Sequence, residues 1–146
     1  MTTETDNDQL KMIIFQLGQE EYAINVTYVQ SIERMQNVTR IPGVQSFIIG
    51  VMNLRGVITP VIDLRKRFGL EEKHADESTR ILMITLEEIE AGLVVDGAND
   101  VLDIPVDRIE SPPEIIGGVK EDYLEGIVNL DGRFLTLLHL EKVLSE

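Results

Sequence analysis

"IIGVMNLRGVITPVIDLRKRF", residues 48–68, decides how this chain is read. Two runs rich in β-branched residues flank Arg55–Gly56, the pattern of two strands joined by a two-residue hairpin turn. Residues 124–144 read "LEGIVNLDGRFLTLLHLEKVL", and the two stretches align at an offset of 76. Gly50 then falls on Gly126, Asn53 on Asn129, Leu54 on Leu130, Gly56 on Gly132 and Leu64 on Leu140. The copies diverge at the turn itself, where Arg55 stands in the place of Asp131. Asp-Gly suits a tight hairpin turn and Arg-Gly does not, so the turn alone gives no reason for an arginine.

The repetition continues upstream at an offset of 69, which sets Ile24 on Leu93, Val26 on Val95 and Ile32 on Val101. The change of offset is a longer linker in the second copy, "ESPPEIIGGVKEDY" (110–123), whose Pro-Pro and Gly-Gly pairs mark a loop. Other segments read as strands. "KMIIFQL" places Ile13, Phe15 and Leu17 on one side, and "EYAINV" alternates in the same way. "RILMITL" (80–86) is apolar on both faces, as a central strand is. Pro60 cannot donate a ladder hydrogen bond, so its strand is expected at an edge or at a bulge. Helix is scarce. "DLRKRFGL" predicts a short helix capped by Asp63 and stopped by Gly69, and "HLEKVLSE" predicts its counterpart near residue 144. "VTYVQSIE" spaces Val26, Val29 and Ile32 by three, which predicts a helical turn. The expected class is mainly β. A duplicated β unit implies two similar small sheets or barrels, each marginal alone and so expected to share a core or a strand.

The 146 residues carry a net charge of −13, and 43% of them are apolar, an ordinary globular proportion. There is no cysteine, which excludes disulfides, thiolate nucleophiles and cysteine-based metal sites. "MTTETDNDQL" is acidic and polar, unlike a secretory signal, and predicts a disordered tail over residues 1–8. No apolar run reaches the roughly 18 residues of a membrane-spanning helix. The negative field disfavours nucleic acid and anionic membrane. Charge is uneven, however. Between residues 34 and 70, Arg34, Arg40, Arg55, Arg65, Lys66 and Arg67 face only Asp63, a local +5 that leaves −18 for the rest. That tract is expected to meet something acidic.

Catalytic and metal-binding patterns do not emerge. His74 and His139 have no partner at ligand spacing, no nucleophile-elbow pattern surrounds any serine, and "GGVK" lacks the features of a P-loop. No metal, cofactor or enzymatic activity is expected. A small β-barrel that binds nucleic acid would show aromatic side chains among basic ones. The seven aromatic residues here sit mostly in apolar contexts, so that reading stands as a weaker alternative.

"IPGVQSFIIGVMNLRGVITPVIDLRKRFG" (41–69) resembles the signature region of the CheW family of bacterial chemotaxis coupling proteins. "EEYAINVTYVQSIE" (20–33) and "GLVVDGANDVLDI" (92–104) extend the resemblance, which runs from about Leu10 to Leu144. It implies one compact domain over residues 9–146, made of two packed, five-stranded SH3-like barrels with short helices. The division expected is 18–84 for one barrel, and 9–17 with 85–146 for the other. It further implies a non-catalytic scaffold bridging the cytoplasmic tips of chemoreceptors to the regulatory domain of the histidine kinase CheA. Such a protein is cytoplasmic and meets the membrane only through receptors. Carried onto this sequence, the receptor-binding groove comprises Val29, Ile32, Gly50, Asn53, Leu54, Arg55 and Gly56. The residues that face the kinase are not assigned. The family often has an acidic residue where this chain has Ser31, and Glu33 is the nearest substitute. A second proline is common where Gln45 stands. An adaptor of the same fold in another two-component pathway is the alternative reading.

Overall fold

The computed structural model describes residues 8–116 and 119–145. The expected tail, apart from Asp8, and the Gly117–Gly118 pair of the expected loop lie outside the described residues. Among the described residues, twelve strands and two short helices follow one another. The first repeat gives β1 (Gln9–Leu17), β2 (Glu20–Asn25), β3 (Val29–Arg34), β4 (Ile48–Leu54), β5 (Val57–Asp63) and α1 (Leu64–Phe68). The second gives β6 (Arg80–Leu86), β7 (Ile89–Val95), β8 (Gly97–Pro105), β11 (Leu124–Leu130), β12 (Arg133–Leu138) and α2 (Leu140–Leu144). Between β8 and β11, β9 (Ile115–Ile116) and β10 (Val119–Lys120) form a two-stranded ribbon. The linker expected to be loop is therefore partly paired.

Two five-stranded sheets result, in the orders β11-β12-β2-β1-β8 and β4-β5-β7-β6-β3. The orders are the same once each strand is replaced by its repeat equivalent, so a pseudo-two-fold axis relates the sheets. Each sequence repeat gives its first two strands to one sheet and its next three to the other. The chain crosses between sheets at β2–β3 and again at β7–β8. Sheet membership therefore differs from the division at 18–84. Glu20–Asn25 belongs with Gln9–Leu17, and Ile89–Val95 belongs with Val29–Arg34. The physical reason is that a sequence repeat is not a barrel here: strands pair across repeats.

Each sheet closes on itself through a residue downstream of its edge strand. Thr39 exchanges two backbone hydrogen bonds of 2.8 Å with Val51, and Glu110 does the same with Ile127. A glycine stands beside each closure. A Cβ on Gly50 would lie 2.0 Å from the Thr39 carbonyl oxygen, and one on Gly126 would lie 2.6 Å from Ile109 Cγ2. Pro60 is on neither an edge strand nor a bulge, because β5 lies between β4 and β7. Its cross-strand partner Val51 spends its N–H and C=O on Thr39, and the parallel ladder to β7 begins only at Val61. The missing N–H at Pro60 therefore leaves no ladder bond unmade.

Among the described residues, three apolar cores form. Met12, Ile14, Ala23, Ile104, Val128, Leu135 and Leu137 fill one barrel, and Met52, Val61, Ile81 and Met83 fill the other. The largest, with 18 buried residues, lies between the sheets and draws on both, from Phe15 and Ile24 to Leu82 and Leu93. At about 1.5–3 kcal/mol per large apolar side chain, this shared core outweighs either barrel interior. Within it Phe15 stacks on Tyr22 at 5.5 Å, Tyr22 meets Phe68 at 5.8 Å, and Phe68 meets Tyr123 at 5.1 Å.

Candidate interaction surface

The Arg55–Gly56 hairpin is a two-residue turn with positive φ at both central positions, and so is its repeat equivalent. Arg55 has φ 54° and Gly56 87°; Asp131 has φ 54° and Gly132 93°. That is the type I′ pattern, whose twist matches the strands it joins. Asn53 and Asn129 each accept a hydrogen bond from the turn glycine's N–H, at 2.8 and 2.7 Å. Arginine carries a Cβ into the left-handed region at a cost of roughly 1–2 kcal/mol that glycine avoids and Asn or Asp lessens. Arg55 thus accepts strain to stand at the tip, with its side chain 73% exposed.

Glu33 is the acidic neighbour of that tip. Its carboxylate lies 3.6 Å from Arg55 Nη2 and is only 17% exposed. The substitute for the acid missing at Ser31 is therefore in reach of the arginine. Asn53 and Gly56 are exposed, Leu54 is half-buried against the barrel core, and Gly50 is buried in the barrel closure.

Val29 and Ile32 lie elsewhere on the same barrel. The expected helical turn is a short 3-10 turn at Val26–Tyr28, after which the chain extends. Residues three apart in a strand normally face opposite ways. Here Val29 pairs with Ile84 and Ser31 with Met83, so Gln30 is an extra, bulged residue. The bulge returns Val29 and Ile32 to one face, opposite Ile84 and Leu82 of the shared core. Val29 packs on that core, while Ile32 remains 41% exposed at its rim. Ser31 and Glu33 face the other way, towards the barrel interior. The seven expected groove residues therefore divide into two features on either side of β3: an apolar rim and a charged barrel mouth.

The second repeat rebuilds the rim. Asp100 pairs with Ile14 and Ala98 with Phe15, which makes Asn99 the bulged residue at the position equivalent to Gln30. Val101 is paired with Ile13 of the shared core and is 51% exposed. Sequence reasoning did not single out Ala98 and Val101, although the offset of 69 pairs Val101 with Ile32.

The basic tract is not one surface. Arg65 makes a paired contact with Asp96, Nε to Oδ1 at 3.0 Å and Nη2 to Oδ2 at 2.6 Å, and both side chains are largely buried. Burial alone would raise the Asp96 pKa, but the Arg65 guanidinium and the Gly18 N–H outweigh it and hold the carboxyl below its usual range. Arg67 donates to the carbonyls of Lys142, Val143 and Ser145 at the end of α2, with its guanidinium 4.3 Å above the Phe47 ring. Lys66 lies 3.6 Å from Glu72. Arg65 and Arg67 bind the molecule together, which corrects the expectation that the whole tract meets a partner. Arg34, Arg40, Arg55 and Lys66 remain exposed.

Fold and surface together define an internally duplicated β scaffold, with two closed five-stranded barrels and an apolar rim repeated on each. A CheW-like domain model matches residues 11–146, and the chain belongs to the CheW family of chemotaxis scaffold proteins. It is 47% identical to the chemotaxis protein CheW of Bacillus subtilis over 149 residues, covering 100% of this chain and 93% of that protein. To the chemotaxis protein CheW of Klebsiella aerogenes it is 42% identical, covering 92% and 81% of the two chains. The crystal structure of the scaffolding protein TtCheW from Thermoanaerobacter tengcongensis superposes with a TM-score of 0.87 at 32% identity, covering 94% of each chain.

Proposed function

We propose that this protein couples chemoreceptors to the histidine kinase CheA and performs no chemistry of its own. The observation that carries the reading is the repeated apolar rim. Two β-bulges, one in each repeat, turn Ile32 and Val101 to the border of the shared core and leave both about half exposed. An amphipathic helix lays its apolar face against such a rim, and the tip of a receptor is a helical hairpin. Arg55 adds a forked donor at an adjoining barrel mouth. It can grip a carboxylate or the carbonyls at a helix C-terminus, and Glu33 holds it ready at 3.6 Å. Gly50, Asn53, Leu54 and Gly56 act by shaping the hairpin that presents Arg55. The protein works in the cytoplasm and reaches the membrane through receptors.

Mixing the purified protein with CheA and receptor-bearing membranes tests this. Co-sedimentation of all three, with kinase activity that depends on the added protein, is the expected result. Failure to co-sediment, with kinase activity unchanged, contradicts it. Capture of a different kinase from the source organism would instead support an adaptor for another two-component pathway.

A further inference from the structure

A cavity of about 470 Å³ opens where the two barrels meet beside α2. Leu10, Leu86 and Leu138 contribute apolar surface, and Glu87, Glu125 and Glu141 supply charge, with no lysine or arginine in the lining. Among the described residues none of these glutamates belongs to an ion pair. Carboxylates on a surface ordinarily mean solvation and nothing more. The internal repeat supplies a second copy of this cavity.

The equivalent cleft beside α1 is lined by Val94, Ile49, Asp63 and Arg65, which occupy the repeat positions of Asn25, Glu125, His139 and Glu141. That cleft has shrunk to about 80 Å³. It is filled by the chain's own cation. Arg65 clamps Asp96 and donates from Nη1 to the Glu71 carbonyl at 2.7 Å, while Lys73, His74 and Ala75 of the linker line the same space. The second cleft reverses the chemistry. Glutamate stands at the arginine's position, and the space the guanidinium would fill is open. Glu87 adds a further carboxylate at a turn position with φ 56°, where the first repeat has Gly18 with φ 63°.

We propose that the α2 cleft binds a lysine or arginine side chain carried on an apolar segment of a partner protein. The incoming cation does from outside what Arg65 does from inside. Its aliphatic stem lies along Leu10, Leu86 and Leu138, and its charged head reaches the glutamates. This site takes a cationic group, whereas the Arg55 hairpin takes an anionic one, so the two surfaces recognise different segments.

The test is a titration of the ¹⁵N-labelled full chain with the capped peptide acetyl-Leu-Arg-Leu-amide, followed by amide chemical shifts. Acetyl-Leu-Gln-Leu-amide serves as the uncharged control. Expected are saturating shifts confined to residues 10, 86–88, 125 and 138–141, with binding at least tenfold weaker for the glutamine peptide and for the double variant Glu87→Gln, Glu141→Gln. Glu141→Arg, at an exposed position, should keep the melting temperature and abolish binding by supplying the cation internally. Shifts scattered over other carboxylates, equal binding of the two peptides, no saturable binding at millimolar peptide, or binding unaffected by Glu141→Arg would each overturn the proposal.

Discussion

Arg55 and Asp131 share one backbone conformation, with φ 54° at each, and differ only in what their side chains can reach. Because asparagine is favoured at this turn position, Arg55→Asn relieves backbone strain while forfeiting the weak contact with Glu33. An exposed ion pair contributes no more than about 1 kcal/mol, so the two effects offset. Chemical denaturation should show stability unchanged within about 0.5 kcal/mol, while affinity for receptor-bearing membranes falls. A loss of several kcal/mol would instead make Arg55 structural. Tyr22 carries the opposite lesson. It is 1% exposed, its hydroxyl has no hydrogen-bond partner among the described residues, and burial together with the Glu20 charge pushes its pKa up to about 12. Tyr22→Phe removes a buried, unsatisfied polar group and keeps the ring stacked on Phe15, so urea unfolding should show a gain of about 1 kcal/mol.

Among the elements, α1 helps to tie the barrels together. Its Arg65 reaches Asp96 at the crossover from β7 to β8, and its Arg67 satisfies the open carbonyls of α2. Arg65→Met leaves the Asp96 carboxylate largely buried and without its cation, at an expected cost of roughly 2–3 kcal/mol in chemical denaturation. A pH dependence follows. Glu21 is also held below the usual range, first by its hydrogen bonds to Arg133. A depressed carboxylate pKa contributes stability above the unfolded-state value, near pH 4, and loses it as pH falls through the folded value. Stability should therefore drop below about pH 4, and Asp96→Asn should flatten that decline.

These elements also show what the sequence could and could not reveal. The hairpins, the short helices with Asp63 and Gly69 at the ends of the first, and the central strand at 80–86 were legible because turn chemistry and periodicity are local. The bulges at Gln30 and Asn99 were not, because a bulge is an agreement between two strands and leaves no mark on either alone. The internal use of Arg65 and Arg67 was hidden because their partners lie 31 and about 76 residues away.

At the scale of the whole molecule, duplication and exchange explain why two small barrels behave as one body. Every sequence repeat has strands in both sheets, and the shared core exceeds either interior. Unfolding should be a single cooperative transition, with coincident curves by circular dichroism and tyrosine fluorescence. Two separated transitions would contradict the shared core. The same arrangement suits a scaffold, which must hold unlike partners on one rigid body. The pseudo-two-fold axis repeats the apolar rim, while single substitutions such as Arg55 for Asp131 make the two ends chemically unlike. The most direct test is quantitative co-sedimentation with receptor-bearing membranes and CheA, comparing the unaltered protein with Ile32→Asp and Val101→Asp. Both side chains are half exposed, so both variants should fold, and each should lose receptor-dependent sedimentation by at least tenfold. Folded variants that sediment as well as the unaltered protein would contradict the rim as the coupling surface.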